Sequence, residues 1–301
     1  MAPARARLAK FKGWQKDKFV GLSERFEPDY RSLSGHETAR FTTPLWNDFS
    51  AKLESVFLPR PPLSFLRNPD IQKTMFVSGR AKWLDTELNL LESAFDGQRL
   101  RSLLEEDFAG DPPLSHARYA TSHNSIHHLY HIARYAKSTG VDPAKVRTIV
   151  EWGGGYGNLA KIFTRLNGSG LTYTIIDLPL LSVLQWLYLA TVLGEERVNM
   201  VKGPGDPLAE GKVNVLPVCF VDAKKVAGEM FVSTWALSES SQYAQDYVAN
   251  RGWFGAKHVL LAYQDGDKSL PDAGRLGEIA ASAGMRLEDI DFLPGNHYAF
   301  L

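Results

Sequence analysis

From Thr148 to Pro179 the chain reads TIVEWGGGYGNLAKIFTRLNGSGLTYTIIDLP. An acid, Glu151, stands just ahead of Gly153, Gly154, Gly155 and Gly157, and a second acid, Asp177, follows Gly157 by twenty residues. Glycines permit positive φ and a close approach of backbone to ligand, and the helix turn that follows them offers free N–H donors. A carboxylate at that distance is placed to accept the hydroxyls of a ribose. The chemistry these residues suit is the binding of a nucleotide-derived cofactor. Three elements must position them. Thr148, Ile149, Val150 and Trp152 predict a short strand, Leu159, Ile162, Phe163 and Leu166 recur at helical spacing, and TYTIID predicts a second strand ending on Asp177.

The glycine spacing separates two cofactors. A dinucleotide fingerprint needs a third glycine where this chain has Asn158, which disfavours NAD. The acid followed by G-x-G-x-G resembles motif I of the class I S-adenosylmethionine-dependent methyltransferases, and the resemblance implies S-adenosylmethionine as cofactor. On that reading Glu151 and the glycines hold its methionine part and Asp177 its ribose. Tyr156 is placed to cover it, and Leu178 and Trp235 complete the expected contacts.

Composition fits an enzyme acting on a small molecule. The 301 residues can bury a sizeable core, and 34 Lys plus Arg balance 34 Asp plus Glu, so no overall field draws the protein to nucleic acid or anionic lipid. A single cysteine, Cys219, excludes an internal disulfide framework and suits a reducing, cytoplasmic setting. It reads as a small buried hydrophobe. No apolar run approaches the length of a membrane span, and the basic start lacks the apolar core of a secretory signal.

The first part of the chain carries no clear β signal. Residues 1–62 are mixed and close on Pro59 to Pro62, and helical patterns dominate from Leu63 to about Ser138, with Trp83, Leu84, Leu88, Leu91 and Phe95 in one helix and Ile126 to Tyr135 in another. This predicts a mainly helical extension or cap over residues 1–140 and a Rossmann-like cofactor-binding domain over 141–301. In the second part, LLSVLQWLYLATVLG predicts an apolar helix stopped by Gly194, and strands are expected at RVNMV, VNVLPV, MFVSTWAL, HVLLAYQ, MRLEDIDFL and NHYAFL. Alternation of strand and helix predicts an α/β fold with a doubly wound, mostly parallel sheet. The last two strands, joined only by Pro294, Gly295 and Asn296, must pair antiparallel, as a class I methyltransferase sheet would require.

The phrases SHNSIHHLYHIARY, IVEWGGGYGNLAKIF, YTIIDLPLLSVLQWLYL, FVSTWALSES, VLLAYQ and LPGNHYAF together resemble the sugar O-methyltransferase family sometimes labelled NanM-type, over roughly Leu114 to Leu301. The resemblance implies transfer of the cofactor's methyl group to a hydroxyl of a sugar or glycosylated small molecule, in polysaccharide or natural-product biosynthesis. Such an acceptor must be aligned and must lose a proton. Strand tips and the helical region over them are the places to look.

Glu239, just past FVSTWAL, and His297, between the last two strands, are candidate bases; each also reads as an ordinary helix-start acid or turn histidine. His123, His127 and His131 share one helix face, but the outer two lie about 12 Å apart at 1.5 Å per residue, which excludes a three-histidine metal site. A two-histidine site completed by a carboxylate stays open, and no metal is assigned. Within the resemblance, Ser122, Asn124 and His127 or His128 reach toward the cofactor carboxylate or the substrate, with His128 a third catalytic candidate. Tyr263, with Gln264 and Asp265 at another strand tip, is a further substrate contact. Trp14, Trp46, Trp83 and Trp253 read as core or interface aromatics. Alternatives are methyl transfer to a non-sugar hydroxyl or an amine, a catalytically silent cofactor-binding partner subunit, and a nicotinamide-dependent oxidoreductase. An oligomer is compatible with the sequence.

Overall fold

The computed structural model describes residues 1–75 and 81–301. Eight strands form one sheet: β1 (Thr148–Trp152), β2 (Thr172–Asp177), β3 (Val198–Met200), β4 (Val213–Pro217), β5 (Met230–Thr234), β6 (His258–Gln264), β7 (Arg286–Asp289) and β8 (Asn296–Phe300), in the order β3-β4-β2-β1-β5-β6-β8-β7. The first six pair in parallel, and β8 enters antiparallel between β6 and β7. This is the expected doubly wound sheet with its terminal antiparallel strand. The chain winds one way from β1 through β2 to β4 and the other way from β5 to β6, so the crevice between the carboxyl ends of β1 and β5 is the switch point where such sheets bind ligands.

The central strands are buried on both faces, which is why they read as near-continuous apolar runs. Helices α1 (Ala2–Lys12), α2 (Gln15–Ser23), α3 (Phe26–Ser34), α4 (Pro44–Phe57), α5 (Pro69–Met75), α6 (Ala81–Ala94), α7 (Gly97–Leu104) and α8 (His123–Thr139) precede the sheet. The predicted helical character of 63–138 can be followed except at 76–80, which lie outside the described residues. After β1 and β2 come α9 (Asn158–Asn167) and α10 (Pro179–Leu193). Every residue of α10 from Pro179 to Thr191 is buried. That helix lies between the sheet, through β2, β3 and β4, and an outer layer of α2 and α3, which accounts for its being apolar all round.

Several boundaries differ from the sequence reading. The Ile126–Tyr135 helix extends in both directions to become α8, because Ser122 caps it by accepting from the Ser125 N–H at 3.2 Å and Gly140, at φ 75°, closes it. The strand expected at MFVSTWAL stops at Thr234, where Trp235 turns into positive φ (65°). VNVLPV ends at Pro217, and Cys219 follows in a 3₁₀ turn, half-buried rather than fully so. Burial pushes its thiol up to about 11, which leaves it a poor nucleophile. Among the described residues no helix is long and apolar enough to cross a membrane.

The first helices are fastened to the sheet-bearing part through a buried charge cluster. Lys161 of α9 donates to Glu106 Oε2 and to the Tyr188 hydroxyl, both at 3.1 Å, and Arg165 donates to Asp107 Oδ2 at 2.7 Å. Gln15 donates to Asp107 Oδ1 at 3.0 Å, and Lys12 to the Glu106 carbonyl at 2.7 Å. Burial alone would raise the Asp107 carboxyl, but Arg165, Lys161 and Lys12 together hold it far below the usual range.

Candidate cofactor and acceptor site

A cleft opens at the switch point, bounded by the glycine turn after β1, the tips of β2 and β5, the start of α8 and parts of α4 and α5. Gly155, at φ 56°, presents its missing side chain to open space, with only Met75 at 3.9 Å, so it is the position where a ligand can lie against bare backbone. Gly153 and Gly154 also line the cleft, and a Cβ on them would meet Ala236 at 2.0 Å and Ile175 at 2.6 Å. Gly157 is displaced from the expected role. It starts α9 at φ 95° and does not line the cleft; a Cβ there would meet Leu189 at 2.9 Å, so it serves the packing of α9 on α10.

Two buried carboxyls sit under this turn. Glu151 accepts from the Tyr173 hydroxyl at 3.0 Å, and burial pushes it up to about 8 despite that bond, with Asp177 adding to the rise. Asp177 accepts from the Gly154 N–H at 2.9 Å, from Gln185 Nε2 at 2.6 Å and from the Leu178 N–H at 2.8 Å. Burial nevertheless raises it to about 7. Gln185 was missed in the sequence, although a lone glutamine within the apolar run LLSVLQWLYL was a signal. Its Nε2 also donates to the Gly155 carbonyl at 3.0 Å, and its Oε1 is buried without a partner among the described residues.

From α8, Asn124, His127 and His128 line the cleft. Asn124 donates to the buried Tyr156 hydroxyl at 3.2 Å, which helps fix the ring expected over the cofactor. His128 Nδ1 faces the Asn158 amide nitrogen at 3.0 Å; an amide NH₂ only donates, so the neutral ring carries its hydrogen on Nε2. Burial drops His128 to about 3, which makes it a donor to a ligand rather than a base.

Glu239, from just beyond β5, lines the cleft half-buried, accepts from Trp46 Nε1 at 3.1 Å, and is raised by burial to about 7. Trp46 is therefore part of the cleft wall rather than core. Trp235 lines it as well and donates to Asn296 Oδ1 at 2.6 Å. A non-glycine residue held at positive φ stores strain, and such positions gather at functional sites.

Besides Gly157, three predicted positions fall outside the cleft. Ser122 is spent on capping α8 and on donating to Glu106 Oε1 at 2.5 Å. Tyr263 is buried against Gly277 and His297. His297 does sit at the carboxyl edge, two strands from β5, but Asp289 and Asp265 take its two nitrogens at 2.8 and 3.1 Å. Among the described residues no group of three His, Cys, Asp or Glu is arranged to hold a metal.

No family model matches the chain, and no curated protein does. Solved structures with a similar fold include a mitomycin 7-O-methyltransferase, at 10% identity over 82% of this chain and 74% of that one, with a TM-score of 0.42. The Aeropyrum pernix fibrillarin with bound S-adenosyl-L-methionine is similar at 12% identity over 57% and 73%, TM-score 0.38. Human N-acetylserotonin methyltransferase in complex with SAM is similar at 14% identity over 85% and 65%, TM-score 0.37. At such identities and scores these likenesses carry no argument, which stays with the residues of this chain.

Proposed function

We propose that the chain is an S-adenosylmethionine-dependent methyltransferase acting on a hydroxyl of a small, sugar-containing acceptor. The observation that carries this reading is the convergence, at the sheet's switch point, of an open glycine turn with two buried carboxyls, Glu151 and Asp177. The residues fit the cofactor: a bare backbone face at Gly155, acceptors for ribose hydroxyls and an ammonium group, and donors at Asn124 and His128 for a carboxylate. When bound, the cofactor supplies a methyl group already activated on a sulfonium, which leaves as a neutral thioether. What remains for the protein is to align an acceptor oxygen, exclude water and take a proton.

The sugar reading is supported by the mix of surfaces in the cleft. Trp46 and Trp235 give flat apolar faces next to the Glu239 carboxylate and the His127 imidazole, a combination that suits a polyhydroxylated ring. Glu239 is assigned to hydroxyl binding, since Trp46 already fixes one of its oxygens.

Calorimetry separates the readings at the first step: S-adenosylhomocysteine should bind, and NAD should not. Tight NAD binding with none of S-adenosylhomocysteine would replace the assignment with an oxidoreductase. Label from S-adenosyl-[methyl-³H]methionine should then enter nucleotide sugars or aryl glycosides in preference to simple phenols and amines. Cofactor binding without labelling of any acceptor, cell extract included, would favour a silent partner subunit.

A further inference from the structure

We infer that His127, held by Glu87, is the group that takes the proton from the acceptor hydroxyl. The inference deepens the methyltransferase reading and rests on it. Glu87 lies on α6, forty residues before His127, and is fully buried. Its two oxygens are divided between two imidazoles of α8: Oε2 meets His123 Nε2 at 2.8 Å, and Oε1 meets His127 Nδ1 in a short contact. Burial alone would raise the Glu87 carboxyl, but the charge His127 carries when protonated and the bonds from both rings bring it below its ordinary value. With one imidazole nitrogen at each of its oxygens, Glu87 is assigned as the acceptor in both contacts, so His127 donates from Nδ1 and a neutral ring keeps its lone pair on Nε2.

That Nε2 is buried and has no hydrogen-bond partner among the described residues, while His127 lines the cleft. A buried acceptor left unmet is costly, and an acceptor hydroxyl would meet it. The ring is also fixed in orientation, because it stacks on Trp235 at 5.4 Å and 22°. Of the other imidazoles of the helix, His123 and His131 do not line the cleft, although His131 Nε2 is also buried without a partner among the described residues. His123 is turned to Glu87, His128 presents a donor, and His131 Nδ1 is engaged by the Tyr298 hydroxyl at 2.6 Å.

The proton step balances simply. The O–H bond breaks and the proton forms N–H on Nε2, and the electron pair left on oxygen would form the bond to the methyl carbon as that carbon's bond to sulfur breaks, with its pair leaving on the neutral thioether. Glu87 then faces an imidazolium at Nδ1, so the positive charge is created beside an ionised carboxylate. Glu87 acts through His127 and is a positioning residue.

Two measurements test this. In protein carrying ¹⁵N-labelled histidine, with and without S-adenosylhomocysteine, neutral His127 should be the Nδ1–H tautomer in wild type. An Nε2–H tautomer for neutral His127 overturns the inference, whatever the activity. In transfer assays with an acceptor labelled by the wild-type enzyme, His127→Asn should lower kcat by about 10²- to 10⁴-fold with little change in KM or in S-adenosylhomocysteine affinity. Glu87→Gln should lower kcat less and disturb the Nδ1–H signal. Near-native kcat in His127→Asn overturns the inference while leaving the methyltransferase reading intact. Loss of S-adenosylhomocysteine binding by the wild type would instead sink that reading, and the tautomer would then decide the dyad alone. Should His127→Asn fail to fold, His127→Gln takes its place under the same criteria.

Discussion

Gln185 donates its side-chain amide to Asp177 Oδ2 at 2.6 Å, from within a helix whose other residues at that depth are nearly all apolar. The bond fixes the orientation of the acid proposed to hold the ribose, and the same amide nitrogen reaches the Gly155 carbonyl. Gln185→Ala is therefore expected to weaken S-adenosylhomocysteine by about tenfold through loss of that orientation, and Asp177→Ala by roughly ten- to a hundredfold. Calorimetric dissociation constants check both. Unchanged affinity in Asp177→Ala would put the cofactor elsewhere.

Cofactor binding should release protons. Burial holds Asp177 near 7 and Glu151 near 8, so both are partly protonated at neutral pH, whereas a ligand with hydroxyl and ammonium donors favours their ionised forms. The sign for the free protein follows from the same shifts. Each group binds its proton more tightly folded than unfolded, where carboxyls titrate near about 4. The stability each contributes is complete below that value and is lost as pH rises through 7 to 8. The ligand-free melting temperature should accordingly fall from pH 5 to 9, and the increment given by S-adenosylhomocysteine should grow. Equal binding heats in buffers of different ionisation enthalpy would contradict this.

Two glycines of the turn, Gly155 and Gly157, should fail differently. Gly155→Val fills the open face and resists positive φ, so it should abolish S-adenosylhomocysteine binding while the fold persists. Gly157→Ala drives a methyl group toward Leu189 and should act first on stability, by about 1–3 kcal/mol. Paired chemical denaturation and ligand titration on both variants distinguish the two defects.

The contrast between those glycines shows what the sequence could and could not carry. The turn, its flanking elements and Asp177 were legible because strand period, helix period and glycine spacing are local signals within about thirty residues. Gly157 looked like its neighbours because positive φ serves ligand approach and close packing equally. The Glu87–His127 contact joins α6 to α8 with α7 between them in the chain, and Trp46–Glu239 joins residues 193 positions apart, so no periodicity announces either. His297 was placed at the correct edge, yet which neighbour takes its nitrogens depends on β7 lying outside β8, a pairing order that spacing does not encode.

Glu239→Gln should leave S-adenosylhomocysteine affinity unchanged and raise the KM for the acceptor, with turnover reduced by less than about tenfold. A neutral amide still bonds a hydroxyl, only less strongly than a carboxylate does. A loss of turnover of about a thousandfold or more at constant KM would transfer the base role from His127 to Glu239.

Lys161→Met should cost about 3–5 kcal/mol in urea or thermal unfolding, since it strands Glu106 and Asp107 in the interior with less countercharge. A loss under about 1 kcal/mol would mean that Arg165 and Lys12 suffice.

That cluster also bears on how such a protein can change over generations. Gln15 and Lys12 near one end, Glu106 and Asp107 in the middle and Lys161 and Arg165 beside the glycine turn complete one another's charges and hydrogen bonds. A recombination crossover between the helical region and the sheet would inherit half of this set and leave buried ions without countercharges. The helical region is consequently hard to trade for another as a module, and new acceptor preferences should arise through substitutions along the cleft wall, at positions such as Trp46 and Glu239, more readily than through exchange of the whole cap.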